Sequence, residues 1–147
     1  MAPPAMEPAG DGPLEAERRA VAAMKKIALM VLGTAMQTYG EKMADEQEVL
    51  MAAADIIIDV YAAESALLRA SHARGELHQA AARLFVNDAA VRVEASAKTA
   101  LAAMTDGDTL RTLLAALRRL LKVTPINTVA LRRQLADATV ERRTYLF

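Results

Sequence analysis

An all-α fold, an antiparallel helical bundle of about five helices, is what this sequence predicts, and three observations carry the prediction. Hydrophobic residues make up 54% of the chain, with alanine prominent among them, and alanine is the best helix former. Aromatics amount to only 3% and tryptophan is absent, so any core must be built from small and aliphatic side chains. Apolar positions recur at spacings of three and four, the pattern of helices with a buried face, and no stretch alternates as a strand would. At 147 residues the chain suits one domain with a real core.

The first helix is expected from about Leu14 to Tyr39, with acidic Glu15 and Glu17 at the positive end of its dipole and Gly40 as its left-handed stop. Its second half is apolar on most sides, which places it near the bundle centre, and Gly33 and Ala35 invite close approach of a neighbour. A second helix is expected to begin at Asp45, capped by that carboxylate with Glu48 reaching back, and to end at Gly75. Val49, Ala53, Ile56, Ile57, Val60, Leu67 and Leu68 form its expected inward face. The third runs from about Glu76 to Met104, with Ala81, Leu84, Phe85, Ala89 and Val93 inward. Asp108 is the expected cap of a fourth helix through Lys122, with Leu110, Leu113, Leu114, Leu117, Leu120 and Leu121 as its apolar stripe. Thr124-Pro125 breaks the chain, and Asn127 caps a fifth helix from about Thr128 to Arg142. Short connections between long helices favour antiparallel neighbours.

Residues 1–13 hold four of the five prolines and read as a flexible leader or linker, leaving 14–147 as the helical-bundle domain. The leader has neither a signal peptide's apolar centre nor a transit peptide's arginines. The longest apolar run, Ile27 to Met36, is half of the roughly 20 residues a spanning helix needs, so a soluble or peripheral chain is expected. Absence of cysteine excludes disulfides and thiolate metal sites and suits a reducing compartment.

Zero net charge conceals a division. Up to residue 109 there are 10 basic and 16 acidic side chains; from 110 onward there are 8 and 2. Acidic and basic helices can pair within one bundle, or the basic end can dock on an acidic partner or an anionic surface. Arg118, Arg119, Lys122, Arg132 and Arg133 are the candidate docking residues, with Arg142 and Arg143 completing the basic end. Nucleic acid is not expected, because aromatic platforms and a reading helix are lacking.

Chemistry-bearing sets are sparse. Asp55 and Asp59 lie one helical turn apart and could share a metal or divide acid and base roles. A carboxylate-bridged metal pair in a bundle needs Glu-x-x-His motifs, and neither His72 nor His78 stands three residues after a glutamate. The aspartates are therefore read as inter-helix polar contacts with Arg or Lys. Both histidines are expected at the solvated surface, and neither Ser65 nor Ser71 has a histidine placed to activate it. The six glycines form no phosphate loop or dinucleotide fingerprint. Met24, Met30, Met36, Met43 and Met51 read as adaptable core filling. No catalytic, metal or cofactor-binding residue is assigned.

The run Tyr39-Gly40-Glu41-Lys42-Met43-Ala44-Asp45-Glu46-Gln47-Glu48-Val49-Leu50, continuing through Asp55-Ile56-Ile57-Ile58-Asp59-Val60-Tyr61 and Glu64-Ser65-Ala66-Leu67-Leu68-Arg69, resembles the helical C-terminal domain of very-long-chain-type acyl-CoA dehydrogenases. The likeness returns at Thr124-Pro125-Ile126-Asn127-Thr128-Val129-Ala130-Leu131-Arg132-Arg133 and covers roughly residues 25–147. The resemblance implies a non-catalytic domain of an FAD-dependent enzyme of fatty-acid β-oxidation. It implies that FAD and the base that removes the α-proton belong to a dehydrogenase core, on which this domain packs and whose oligomeric state it sets. It also implies a homo-oligomer formed through that core, in the cytoplasm or peripheral at the inner membrane face. Two other readings stand beside it: a free-standing interaction module with another partner, and a small enzyme or acyl-binding protein using the bundle interior. The first two both call for an exposed apolar face.

Overall fold

In the computed structural model, which describes residues 12–147, the chain forms α1 (Glu15–Tyr39), α2 (Gln47–Ala73), α3 (Glu76–Met104), α4 (Gly107–Leu120) and α5 (Thr128–Arg142). A short 3-10 helix, Gly40–Asp45, links the first two, and there is no strand among the described residues. The all-α bundle expected from the sequence is thus the observed fold. Residues 1–11 of the proposed leader lie outside the described residues.

Helix ends depart from expectation in physically informative ways. The chain after Gly40, which takes a positive φ of 55°, makes one tight 3-10 helix before α2 starts. Asp45 is consumed in that helix, so Glu46 holds the cap position of α2 without a side-chain hydrogen bond. At the other end of α2 the left-handed residue is Arg74, at φ 54°, and Gly75 is instead the extended residue before α3. Asp106, not Asp108, precedes α4, and the Asp108 carboxylate accepts from Arg111 at 3.0 Å. Asn127 does cap α5, its Oδ1 accepting from the Ala130 N–H at 3.0 Å. Leu14 adopts φ 71° while its side chain is buried. Holding a leucine in the left-handed region costs about 1–2 kcal/mol, which burial of its isobutyl group offsets.

The core lies among α1, α2 and α3, which pack on one another, with α2 against α3 the most extensive pairing. Met24, Ile27 and Val31 from α1 meet Ile56, Ala63 and Leu67 from α2, and Ala82, Ala89, Val93, Ala97 and Leu101 from α3. Six of the ten buried residues of α3 are alanines; without large side chains in the way, two helices can approach its backbone closely. Ala81, Leu84 and Phe85, expected inward, are only partly buried, because the inward face of α3 is centred on Ala82, Val86 and Ala89. Gly33 has nothing within 4 Å of where a Cβ would stand, so the expected close approach is not made there, whereas Ala35 is buried in the core.

Lys25–Glu64 and the 2.8 Å bond from Arg18 Nη2 to Ser71 Oγ fix an antiparallel register of α1 on α2. Helix α4 rests on α1 and α3, but only Leu117 of its leucine stripe is fully buried. Among the described elements helix α5 touches α3 alone, and it has no buried residue.

The region Glu15–Asp45 contains an 18-residue window of mean hydropathy 1.3, apolar enough by length and composition to span a membrane. The run Ile27 to Met36 understates this, since apolar residues continue on the other side of the Lys25-Lys26 pair. In the bundle its Ala20, Val21, Met24, Ile27, Val31 and Ala35 form a buried face.

Candidate functional site

Helix α2 carries two apolar stripes back to back. One, Val49, Ala53, Ile56, Val60, Ala63, Leu67 and Ala70, is buried in the core. Its spacing of four and three is that of a helix–helix seam. The other, Met51, Ala54, Ile58, Tyr61, Ser65 and Leu68, repeats at three and four on the opposite side, and every member is exposed. Ile58 is 63% exposed and Tyr61 74%. Ile57 and Leu68, expected to face inward, are 45% and 49% exposed, because the buried stripe runs through Ile56 and Leu67 instead. Ser65 is its polar member, and exposed Asp55 and Arg69 border it, one turn from Met51 and from Ser65. Leu29 of α1 extends it: it follows Lys25 by one turn, as Tyr61 precedes Glu64, so the two flank the Lys25–Glu64 pair.

The expected polar contacts divide unequally. Asp59 is held by Arg92 of α3 through three hydrogen bonds of 2.6, 3.1 and 3.2 Å, whereas Asp55 has no ion pair among the described residues. The bond to Asp59, outweighing partial desolvation and helped by the charges of Asp59 and Asp88, raises the Arg92 pKa above its ordinary value. Among the described residues no cluster of three or more His, Asp or Glu side chains could hold a metal ion.

Of the candidate docking residues, Arg132 is engaged within the chain, donating to Asp88 of α3 at 2.6 Å. Arg118 and Arg133 are exposed and outside any ion pair among the described residues. Arg119 and Lys122 line a cleft of about 480 Å³. Arg19 of α1 and Arg83 of α3 line it too, a convergence of three distant segments that linear reading missed.

His72 is exposed, its Nδ1 2.8 Å from the Leu68 carbonyl oxygen. His78 is instead half-buried, meeting the Phe147 ring edge-on at 4.8 Å between centroids. Tyr145 packs edge-on against that same Phe147. Ser65 and Ser71 each donate to the carbonyl four residues back, at 2.8 and 2.9 Å, which ties both hydroxyls to the α2 backbone. Met24 is core, Met30 and Met43 are partly buried, and Met36 and Met51 are exposed, so the methionines are not all core filling.

Fold and surface together define a class: an all-α bundle with a small-residue core and, among the described residues, a stripe of exposed apolar side chains along α2. The family model described as "Acyl-CoA dehydrogenase, C-terminal domain" matches residues 23–119, and the chain belongs to that family. A protein of Bacillus subtilis (strain 168) described as a probable acyl-CoA dehydrogenase is 42% identical over 146 residues, covering 95% of this chain and 25% of that protein. The crystal structure of an acyl-CoA dehydrogenase complexed with FAD from Bacillus anthracis superposes with a TM-score of 0.92 at 37% identity. That match likewise covers 95% of this chain and 25% of the other. The chain therefore spans about a quarter of the length of the relatives it matches.

Proposed function

We propose that this chain acts as the non-catalytic helical C-terminal domain of an FAD-dependent acyl-CoA dehydrogenase of fatty-acid β-oxidation. In this reading it packs on the dehydrogenase core and sets how the enzyme assembles. The observation that carries the proposal is the outer seam of α2, a stripe with the spacing of a buried helix interface but left exposed. Family membership supplies the occupant, since the matched relatives are about four times longer than this chain. FAD and substrate belong to the core in this reading, and the contribution of this chain is surface: Ile58, Tyr61 and Leu68 as anchors.

The test is co-expression with a dehydrogenase core, followed by gel filtration with light scattering. The chain should co-elute with the core and change its assembly mass, and the double variant Ile58→Asp, Tyr61→Asp should abolish co-elution while retaining helical content. A core that neither binds the chain nor alters its mass would overturn the reading. Capture of an unrelated protein through the same seam would point to a free-standing module instead.

A further inference from the structure

We propose that the cleft between the first halves of α1 and α3, the end of α4 and the α4–α5 connection binds an amphipathic anion: a phosphate or carboxylate head carrying a single apolar chain. The site is independent of the α2 seam. Its volume of about 480 Å³ falls within the range of small-molecule sites, about 300–1,000 Å³. Ala20, Ala23, Val86, Leu120, Val123 and Ile126 give it an apolar lining suited to a chain.

Four cations from three segments line the same cleft: Arg19, Arg83, and the neighbours Arg119 and Lys122, with Asn87 adding a neutral donor. The acidic lining residue is Glu17, 3.9 Å from Arg83, and Glu15 lies 3.7 Å from Arg19. Both separations exceed the roughly 2.7–2.9 Å of a charge-assisted hydrogen bond. Elsewhere the bundle closes such pairs properly, at 2.6 Å for Arg92–Asp59 and for Arg132–Asp88. At the cleft, then, two guanidinium groups are loosely matched. Arg119 and Lys122 have no ion-pair partner among the described residues. Like charges gathered on one cleft repel one another and are relieved by an anion. Arginine suits a phosphate or carboxylate oxygen pair through its paired donors. An apolar wall beside them adds affinity for a ligand with a tail over the bare ion.

Isothermal titration of the full chain with dodecyl phosphate and with laurate, each below its micelle concentration, tests the site. Inorganic phosphate and dodecyl maltoside serve as head-only and tail-only controls. One-to-one binding of either anionic amphiphile, tighter than both controls, is expected. The double variant Arg119→Gln, Lys122→Gln should weaken it by about tenfold or more, the loss of one to two charged hydrogen bonds. Both side chains are exposed, so circular dichroism of the variant should match the parent. Amide NMR shifts on titration should centre on Ala20, Ala23, Val86 and Val123. Equal binding of dodecyl maltoside, equal binding of inorganic phosphate, an unaffected double variant, or shifts confined to Ile58 and Tyr61 would each overturn the proposal.

Discussion

Arg92 on α3 grips Asp59 on α2 with two nitrogens, Nη2 at 2.6 Å and Nε at 3.1 and 3.2 Å from the carboxylate oxygens. The same guanidinium lies 5.5 Å from the centroid of the Phe85 ring. One side chain thus joins the two helices with the largest mutual interface and covers an aromatic of its own helix. Asp59 is the more enclosed partner, with 15% of its side chain exposed against 48% for Arg92.

Arg92→Met should therefore destabilise the bundle by about 1 kcal/mol, an exposed-pair value raised by two-nitrogen geometry. Arg92→Lys should recover only part of it, because an ammonium cannot reproduce the planar fork. Urea unfolding midpoints check both. The pairing raises the Arg92 pKa, so its contribution is complete below the unfolded value and is lost only as pH climbs through the folded one. The destabilisation caused by Arg92→Met should be constant across the neutral range.

Three consecutive isoleucines offer a sharper comparison. Ile56 is fully buried, whereas Ile58 projects from the opposite side of the helix. Ile56→Ala should cost about 2–5 kcal/mol through lost transfer energy and a cavity. Ile58→Ala should stay within about 0.5 kcal/mol for the isolated chain, as surface changes do. If α2 docks on a core, the order reverses for binding, with Ile58→Ala weakening co-elution of a chain that remains folded. Equal stability costs at the two positions would contradict the two-stripe description of α2.

Apolar spacing made the helices legible, and Asn127 was a readable cap because its side chain faces the open first turn of α5. Asp45 and Asp108 carry the same sequence signal, yet the local backbone spends one in a 3-10 helix and turns the other toward Arg111. Ile56-Ile57-Ile58 could not all face one way, since successive residues point about 100° apart on a helix. Which of them faces inward depends on where α1 and α3 lie. A basic partner for Asp59 was foreseeable by chemistry, while its identity as Arg92 required the fold. Arg19, Arg83 and Arg119 share a cleft only through tertiary packing, for which linear charge counting has no signal.

The alanine surface of α3 makes a further prediction. Ala97 is fully buried where α3 contributes to the three-helix core. Ala97→Leu adds three carbons at a position with no solvent-exposed surface, and overpacking of this kind costs about 1–3 kcal/mol. Ala102→Leu, at an exposed position of the same helix, should be nearly neutral. Thermal unfolding of the pair separates packing from helix propensity.

Helix α5 is the least secured element, resting on α3 without a buried residue of its own. Its ties are the Arg132–Asp88 pair, a 3.4 Å bond from Gln134 to Glu76, and the Asn127 cap. Asn127→Ala should remove about 1 kcal/mol of helix stability, and local opening should respond before global unfolding does. Hydrogen exchange at Ala130 to Gln134 should accelerate severalfold while Ile56 and Ala97 amides hold their protection. Arg132→Glu should act in the same direction, placing two carboxylates together at Asp88. Arg133→Glu, at an exposed neighbour with no ion pair among the described residues, should leave exchange unchanged. A loss of core binding with Arg133→Glu would therefore report a docking contact, whereas the same loss with Arg132→Glu would also contain the release of α5. If both variants leave α5 equally protected, the Asp88 pair does not hold it.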